Sequence, residues 1–390
     1  MSLHSRAVRA LRPIFKNRPA LKQTAANVDA AVSRWHHSAA SYFPSLIRPQ
    51  PRLLTVAITA QCNLRCIGCR YGRDFMVGSQ LSFPMVKDLL HDAREVGFER
   101  VRLYGGEPLL HKDLPRMVET AASLQLNPCI TTNGIRLGEK ISDLYDAGLR
   151  AITMGFYGLE EQYNSYVQHK NSFASLEKSI AAVRDRYGMD VFLQINFLLA
   201  KPFCNLKTLQ QAWRFAEKYQ TGFQVDLVHY SLPYFTEGAE RELQFTAADR
   251  TDLEAFTEEL VRMKESRPEL FAETVPSIRS IPDWALKGAG MHVPCTAYRL
   301  VWVGANGAVQ LCYVTFPLGN LHEKRFKDMM FTHEHRQAAR NAFLLNCPHC
   351  HCERDLRIRE SPYFAQYGKS IPAVAPPPSS LVQIGTLVGS

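Results

Sequence analysis

Six times between residues 53 and 229 an apolar run rich in branched side chains is followed by a stretch with helical periodicity, and this repetition limits the fold more than any other feature. The predicted strands cover residues 53–59, 100–104, 127–130, 150–155, 191–198 and 222–229. Strands joined through helices pair in parallel, because each crossover returns the chain to the same end of the sheet. The class is therefore α/β, with helices on the outer face of a parallel sheet. Ser82 and Pro84 open the first helix as N-cap and first-turn residue, and Val86, Leu89, Leu90, Ala93 and Val96 form its buried stripe. In parallel barrels the reactive groups gather at the carboxyl ends of the strands.

The chemistry-bearing residues stand at such ends. Cys62-Asn-Leu-Arg-Cys66-Ile-Gly-Cys69 follows the first strand. Three soft ligands on one short loop make a metal site, and without a fourth local thiol an iron–sulfur cluster there keeps one iron open to an outside molecule. A structural zinc loop is the alternative, although zinc sites pair Cys-x2-Cys knuckles and do not favour a three-residue first gap. Gly105-Gly106-Glu107-Pro108 ends the second strand and Thr131-Thr132-Asn133-Gly134 the third. A glycine pair lets backbone approach a ligand closely, and a carboxylate complements an ammonium group.

In this order and spacing the motifs resemble the signature of the radical S-adenosylmethionine (SAM) superfamily, from about residue 53 to 230. The resemblance implies a partial (β/α)6 barrel, open on one side. It implies a [4Fe–4S] cluster on Cys62, Cys66 and Cys69 whose open iron chelates SAM, with Gly105, Gly106, Glu107, Thr132, Asn133, Tyr157 and Asn196 as SAM contacts. One electron, from a flavodoxin- or ferredoxin-type donor, then breaks a C–S bond of SAM, and the 5′-deoxyadenosyl radical removes a hydrogen atom from the substrate. No catalytic side chain is identified. Two departures stand out: Gly68 occupies a position that is commonly aromatic, and Gly155-Phe156-Tyr157-Gly158 replaces an Asp-Gly pair near the ribose, so Tyr157 takes over that contact or nothing does. Asn196 is either a SAM contact or a satisfied buried amide. His229 and Tyr230, closing the sixth strand, are candidates for lining the pocket.

A second cysteine group begins at Cys295. Cys295 and Cys312 flank a predicted hairpin, 298–303 and 308–313, turned at Gly304-Ala-Asn-Gly307, and Cys347-Pro-His-Cys350-His-Cys352 follows a helix. This small Cys-rich hairpin and helix extension resembles the SPASM or twitch domains of the same superfamily, which implies one auxiliary [4Fe–4S] cluster. Five thiols, Cys295, Cys312, Cys347, Cys350 and Cys352, compete for four positions, and if only three ligate, an open iron can bind substrate. With His349 and His351 beside them, zinc is the alternative. Cys129 and Cys204 stand apart and read as small core residues.

Composition agrees with a soluble cytoplasmic enzyme: 46% hydrophobic and 21% charged residues over 390 positions, and no apolar run of membrane-spanning length. No signal-peptide segment opens the chain, and clustered thiols fit metal in a reducing compartment. Charge is concentrated at the start, where residues 1–50 hold eight Lys/Arg against one acid, +7 of the total +9, so a nucleic-acid partner does not follow from the basic balance. In this leader Leu21, Ala25, Val28, Val32 and Trp35 recur at helical spacing, Val8, Leu11 and Phe15 less regularly. Such a helix packs its stripe on the barrel, or lies on an anionic membrane at the inner face, or is a transit peptide. The expected organisation is a basic helical leader 1–50, a barrel 51–235, a helical connector 236–290, an auxiliary-cluster unit 291–360 and an irregular Pro-rich tail 361–390. The expected reaction is hydrogen abstraction from a small-molecule or lipid-type substrate, leading to epimerisation, dehydrogenation or C–C bond formation. A ribosomal peptide maturase, or an electron-transfer or metal-sensing protein without SAM turnover, are the alternatives.

Overall fold

The structure, a computed structural model, describes residues 19–368. The six expected strands form as β1 (Leu53–Thr59), β2 (Arg100–Gly105), β3 (Asn127–Thr132), β4 (Ala151–Phe156), β5 (Phe192–Leu199) and β6 (Gly222–Leu227). They pair in parallel in the order β6-β5-β4-β3-β2-β1, an open partial barrel. The helices between and before them are α1 (Pro19–Tyr42), α2 (Phe83–Val96), α3 (Leu114–Ser123), α4 (Leu137–Asp146), α5 (Glu160–Val167), α6 (Ser172–Tyr187) and α7 (Leu206–Tyr219). Helix α2 starts as its sequence dictates, with the Ser82 hydroxyl accepting from the Met85 N–H at 3.4 Å. Its stripe of Val86, Leu89, Leu90 and Ala93 is buried, while Val96 is half-buried.

Each strand turns alternate residues to opposite faces. Ile152, Met154 and Phe156 of β4, Leu193, Ile195 and Phe197 of β5, and Phe223 and Val225 of β6 join the apolar core shared with the helices. Thr153, Gln194, Asn196, Gln224 and Asp226 lie at the alternate positions, so the inner face of the barrel is polar. Closed parallel barrels instead fill that space with branched apolar side chains.

The C-terminal extension is built differently from the expected separate unit at 291–360. Strands β7 (Leu300–Val303) and β8 (Ala308–Gln310) form the predicted hairpin, shorter than 298–303 and 308–313, and β9 (Pro317–Asn320) adds to it. Strand β7 then pairs in parallel with β1, Leu53 against Leu300 through Val56 against Val303. Among the described residues nine strands therefore make one continuous sheet. An open barrel leaves the β1 edge with unpaired N–H and C=O groups, and β7 satisfies them. The connector is helical as expected, its longest piece being α8 (Arg250–Ser266), which sets Phe256 against Phe197 with centroids 5.9 Å apart. Helix α9 (His333–Phe343) precedes the last cysteines. The tail is not irregular from residue 361, since Tyr363–Gly368 is helical and the Tyr367 hydroxyl donates to Asp283 at 2.6 Å. Residues 370–390, and Val8, Leu11 and Phe15 of the leader, lie outside the described residues.

Helix α1 packs with another face, and on another surface, than its apolar stripe predicts. Val28, Val32 and Trp35 are 58%, 58% and 73% exposed, whereas Ala30, His37 and Ala40 are buried. Ala40 packs with Ile47, Tyr298, Ala339 and Phe343, so the partner is the C-terminal extension. Alanine lets the backbones come close, and the His37 ring is satisfied at both nitrogens, by the Tyr298 hydroxyl at 2.8 Å and the Glu360 carbonyl at 3.0 Å. Burial lowers the His37 pKa to about 4, opposed by the Glu360 charge, so the ring is neutral near pH 7. The unfolded imidazole binds a proton near 6.5 and the folded one only near 4, so the protein should lose stability as pH falls through that window. In urea melts near pH 7, His37→Ala should cost about 1–3 kcal/mol by leaving the Tyr298 hydroxyl unpaired, while Val32→Glu should stay within about 0.5 kcal/mol. The reverse ranking would mean that the exposed stripe is the packing face.

Candidate functional site

The cysteine loop leaves the carboxyl end of β1 and is held by backbone from two segments. The Ile67 N–H donates to the Tyr166 carbonyl at 3.0 Å, the Arg65 N–H to Val167 at 3.3 Å and the Arg70 N–H to Tyr234 at 2.8 Å. The Arg73 guanidinium clamps it further, donating to the Arg65 carbonyl, to the Cys66 carbonyl at 3.3 Å and to Gln168 at 2.7 Å. Cys62, Cys66 and Cys69 are half-buried on this loop. Burial pushes the Cys62 thiol up to about 12 and Cys69 to about 11, and raises Cys66 well above its usual range, with the neighbouring thiols adding to the rise at Cys62 and Cys66. Ionising three such thiols needs a bound cation to offset their charge. The donor set, three soft sulfurs on one clamped loop, fits a cluster with one iron left for an outside ligand.

The glycine turn touches this loop directly. The Gly106 N–H donates to the Thr59 carbonyl at 2.8 Å and the Glu107 N–H to the Gln61 carbonyl at 2.7 Å. A Cβ on Gly105, where φ is +134°, would stand 2.2 Å from the Thr59 carbonyl oxygen, and one on Gly106 would stand 2.2 Å from that of Gln61. Both glycines are thus required by a close approach to the backbone entering the cysteine loop. Glu107 is fully buried, and its carboxylate accepts from the Thr132 hydroxyl at 2.6 Å, the Asn133 N–H at 2.7 Å and the Leu109 N–H at 2.9 Å. Desolvation raises its pKa, and these three donors oppose the rise. A carboxylate has about four lone-pair directions, so these donors fill most of them. The Asn133 side chain in turn donates to Asn63 at 2.9 Å, inside the cysteine loop.

Gly68 has a spatial reason. A Cβ there would meet the Tyr166 hydroxyl at 3.0 Å and the Phe235 ring at 3.3 Å. These two aromatics, which the sequence reading did not single out, already crowd the position where the superfamily commonly carries an aromatic side chain. Tyr157 packs at a tilt against Tyr166 at 4.4 Å and Tyr163 at 5.4 Å between centroids. Burial, and then the nearby Cys66, raise the pKa of the Tyr157 hydroxyl well above the usual range.

On the inner wall Asn196 is a satisfied amide, donating to Asp226 at 2.8 Å and accepting from Gln194 at 2.8 Å. Gln194 also donates to Gln224 at 2.7 Å, and Gln224 to Asp226 at 2.9 Å, which completes a polar ladder across β5 and β6. Facing the extension, the Arg102 guanidinium stands over the rings of Tyr104 and Tyr313, 5.7 and 5.5 Å from their centroids, and the Trp302 indole N–H donates to the Tyr104 hydroxyl.

All five C-terminal thiols, Cys295, Cys312, Cys347, Cys350 and Cys352, line one small cavity together with Tyr313, Phe316 and His349. The set is again soft and suits iron–sulfur or zinc. His229, just past β6, reaches the same cluster, with its Nδ1 3.5 Å from the Cys352 sulfur. Tyr230 and His229 also line a cavity of about 270 Å³ between the barrel mouth and the extension.

The profile of the Radical SAM superfamily matches residues 56–200. Over these residues the chain matches that superfamily. That stretch runs from β1 through the cysteine loop, the glycine turn and β3 to the end of β5. Curated relatives include the GTP 3′,8-cyclase of Haemophilus influenzae, 31% identical over 43% of this chain and 54% of that protein, and a probable GTP 3′,8-cyclase of Methanococcus maripaludis, 28% identical over 45% and 58%. The chain thus spans about half the length of the curated relatives it matches. Among solved structures, Streptococcus suis SuiB bound to its precursor peptide SuiA superposes with a TM-score of 0.60 at 17% identity, over 79% of this chain and 70% of that one. AdoMet-bound anSMEcpe superposes at 0.58 and 15% identity, over 82% and 91%. These likenesses extend the shared fold beyond the barrel into the C-terminal extension. Among the described residues no helix is long and apolar enough to cross a membrane.

Because the Gly106 Cβ position collides with fixed backbone, Gly106→Ala should displace the loop at Gln61, next to Cys62. After anaerobic reconstitution this variant should lose about four irons of the wild-type content, one cluster's worth, with the fold retained by circular dichroism. Full iron retention would show that the turn and the loop are independent.

Proposed function

We propose that the protein is a working radical SAM enzyme whose substrate presents hydrogen-bonding groups to the inner wall of β5 and β6. The observation that carries this reading is the ladder of Gln194, Asn196, Gln224 and Asp226 on a face that a closed parallel barrel fills with apolar side chains. Cys62, Cys66 and Cys69 would hold the cluster, which together with SAM would supply the one-electron chemistry that makes a carbon radical. The chain's own residues do the rest: Glu107 fixes the turn beside the loop, the tyrosines at 157, 163 and 166 keep water from its underside, and the polar wall orients the substrate. The curated relatives are GTP 3′,8-cyclases, and a nucleotide substrate agrees with a polar wall. Exposed Arg65 and Arg73 beside the loop offer positive charge to a flavodoxin- or ferredoxin-type electron donor.

The reconstituted protein should bind about eight irons, two clusters' worth, and a Cys62→Ala, Cys66→Ala, Cys69→Ala triple variant about four, with all SAM cleavage lost. With deuterated candidate substrates, label should appear in 5′-deoxyadenosine. Asp226→Leu should reduce that transfer at least tenfold while SAM is still cleaved without substrate. Loss of both together would assign the wall to SAM, and absence of cleavage in the wild type would sink the enzyme reading.

A lipid-type substrate, the narrower reading, is supported by α1. Its exposed Val28, Val32 and Trp35, followed by exposed Tyr42 and Phe43, offer apolar area beside a segment carrying +7 in fifty residues. Each basic residue near an anionic bilayer contributes about 1 kcal/mol, so several suffice for reversible binding. The full chain should sediment with phosphatidylserine vesicles in a salt-sensitive way, and a Val32→Glu, Trp35→Glu variant should bind at least tenfold more weakly. Equal binding by both would remove the membrane contact.

A further inference from the structure

We propose that His229 is a protein ligand of the metal group held by the C-terminal cysteines, acting with Cys350 and Cys352. The inference rests on the reading that those cysteines hold metal at all. It adds to them a residue from the barrel that no count of thiols includes.

The three residues meet by folding alone. His229 stands two positions past the end of β6, while Cys350 and Cys352 follow α9, more than a hundred residues later. One ligand atom from each lies within 4.8 Å of the other two, and among the described residues this is the grouping of His, Cys, Asp or Glu at that spacing. Bonds of about 2.3 Å to sulfur and about 2.0 Å to nitrogen put ligand atoms on a single tetrahedral ion just under 4 Å apart, so small side-chain shifts close the site. Cys295, Cys312 and Cys347 line one cavity with Cys350 and Cys352, so the extension holds thiols for the fourth position.

The imidazole is also held in place. The His351 ring lies on it with centroids 3.9 Å apart, and the His351 Nε2 is buried without a hydrogen-bond partner. The stack leaves His229 pointing its Nδ1 at the Cys352 sulfur, 3.5 Å away. Cys352 in turn packs in the apolar group of Leu300, Trp302, Tyr313 and Tyr104 at the boundary with the barrel interior. A metal on His229, Cys350 and Cys352 would therefore pin the last barrel strand to the extension and stand between the cysteine cavity and the substrate wall.

The test uses the full chain carrying Cys62→Ala, Cys66→Ala and Cys69→Ala, so that only the C-terminal group remains. After anaerobic purification and iron–sulfide reconstitution, metal and sulfide are counted and X-ray absorption is recorded at the edge of the bound metal. Imidazole scattering should be present, lost on adding His229→Ala, and replaced by sulfur in His229→Cys, with chelator removing the metal at least tenfold faster from the alanine variant. Iron with sulfide identifies a cluster and zinc without sulfide a single ion, and either supports the proposal if nitrogen is a ligand. A pure sulfur shell before any change at His229, or a nitrogen shell that survives His229→Ala, overturns it. Absence of metal overturns both this proposal and the reading beneath it.

Discussion

One buried carboxylate organises the mouth of this barrel. Glu107 sits at the end of β2 and accepts from the end of β3, through the Thr132 hydroxyl and the Asn133 N–H, while its own N–H is held by Gln61 at the entrance to the cysteine loop. Three successive strand ends are thereby tied at one point, in a place where water cannot substitute for any donor. An unpaired charge at zero exposure would be costly, so the donors and the carboxylate are mutually required. The two glycines before it follow from the same constraint, because only residues without a Cβ let this turn press against the carbonyls of Thr59 and Gln61. The motif thus brings strain-free close packing and charge compensation to the segment that positions Cys62.

The second organising contact is the parallel pairing of β7 with β1. It converts an edge into an interior strand and makes the cysteine-rich extension a continuation of the barrel sheet. Through it Trp302 reaches Tyr104 and Tyr313 reaches Thr55 at 3.1 Å, so side chains of the extension close one side of the polar interior. Cys352 of the extension lies 3.5 Å from His229 of the barrel. Helix α1 is bound to this arrangement as well, because His37 and Ala40 pack on the extension, with Arg34 donating to the Arg359 carbonyl at 3.0 Å.

Much of this was legible in the residues. Local pattern placed all six barrel strands within two positions of their observed ends, and the Ser82 cap was set by neighbours three residues apart. The three cysteines, the glycine turn and the five later thiols were readable because metal chemistry depends on residue type and short spacing. Other features were not. Asn196 carried no mark of whether its amide would find Gln194 and Asp226, since these come from one position on its own strand and one on the next. The face on which α1 packs was misread because hydrophobic periodicity reports which side chains prefer burial, whereas two alanines and a doubly bonded histidine decided which side met a partner.

The sequence by itself determined the alternation of strand and helix, the parallel sheet, and the soft-ligand loop at the end of β1, because each depends on interactions between residues close in the chain. Only the tertiary structure decided that the glycine pair serves the cysteine loop, that Tyr166 and Phe235 crowd the place of a missing aromatic at Gly68, that β7 extends the barrel sheet, and that His229 stands among the C-terminal thiols. These are contacts between segments whose separation in the chain is set by loops and helices, and their geometry is fixed by the register of strands and the packing of a common core rather than by any local preference.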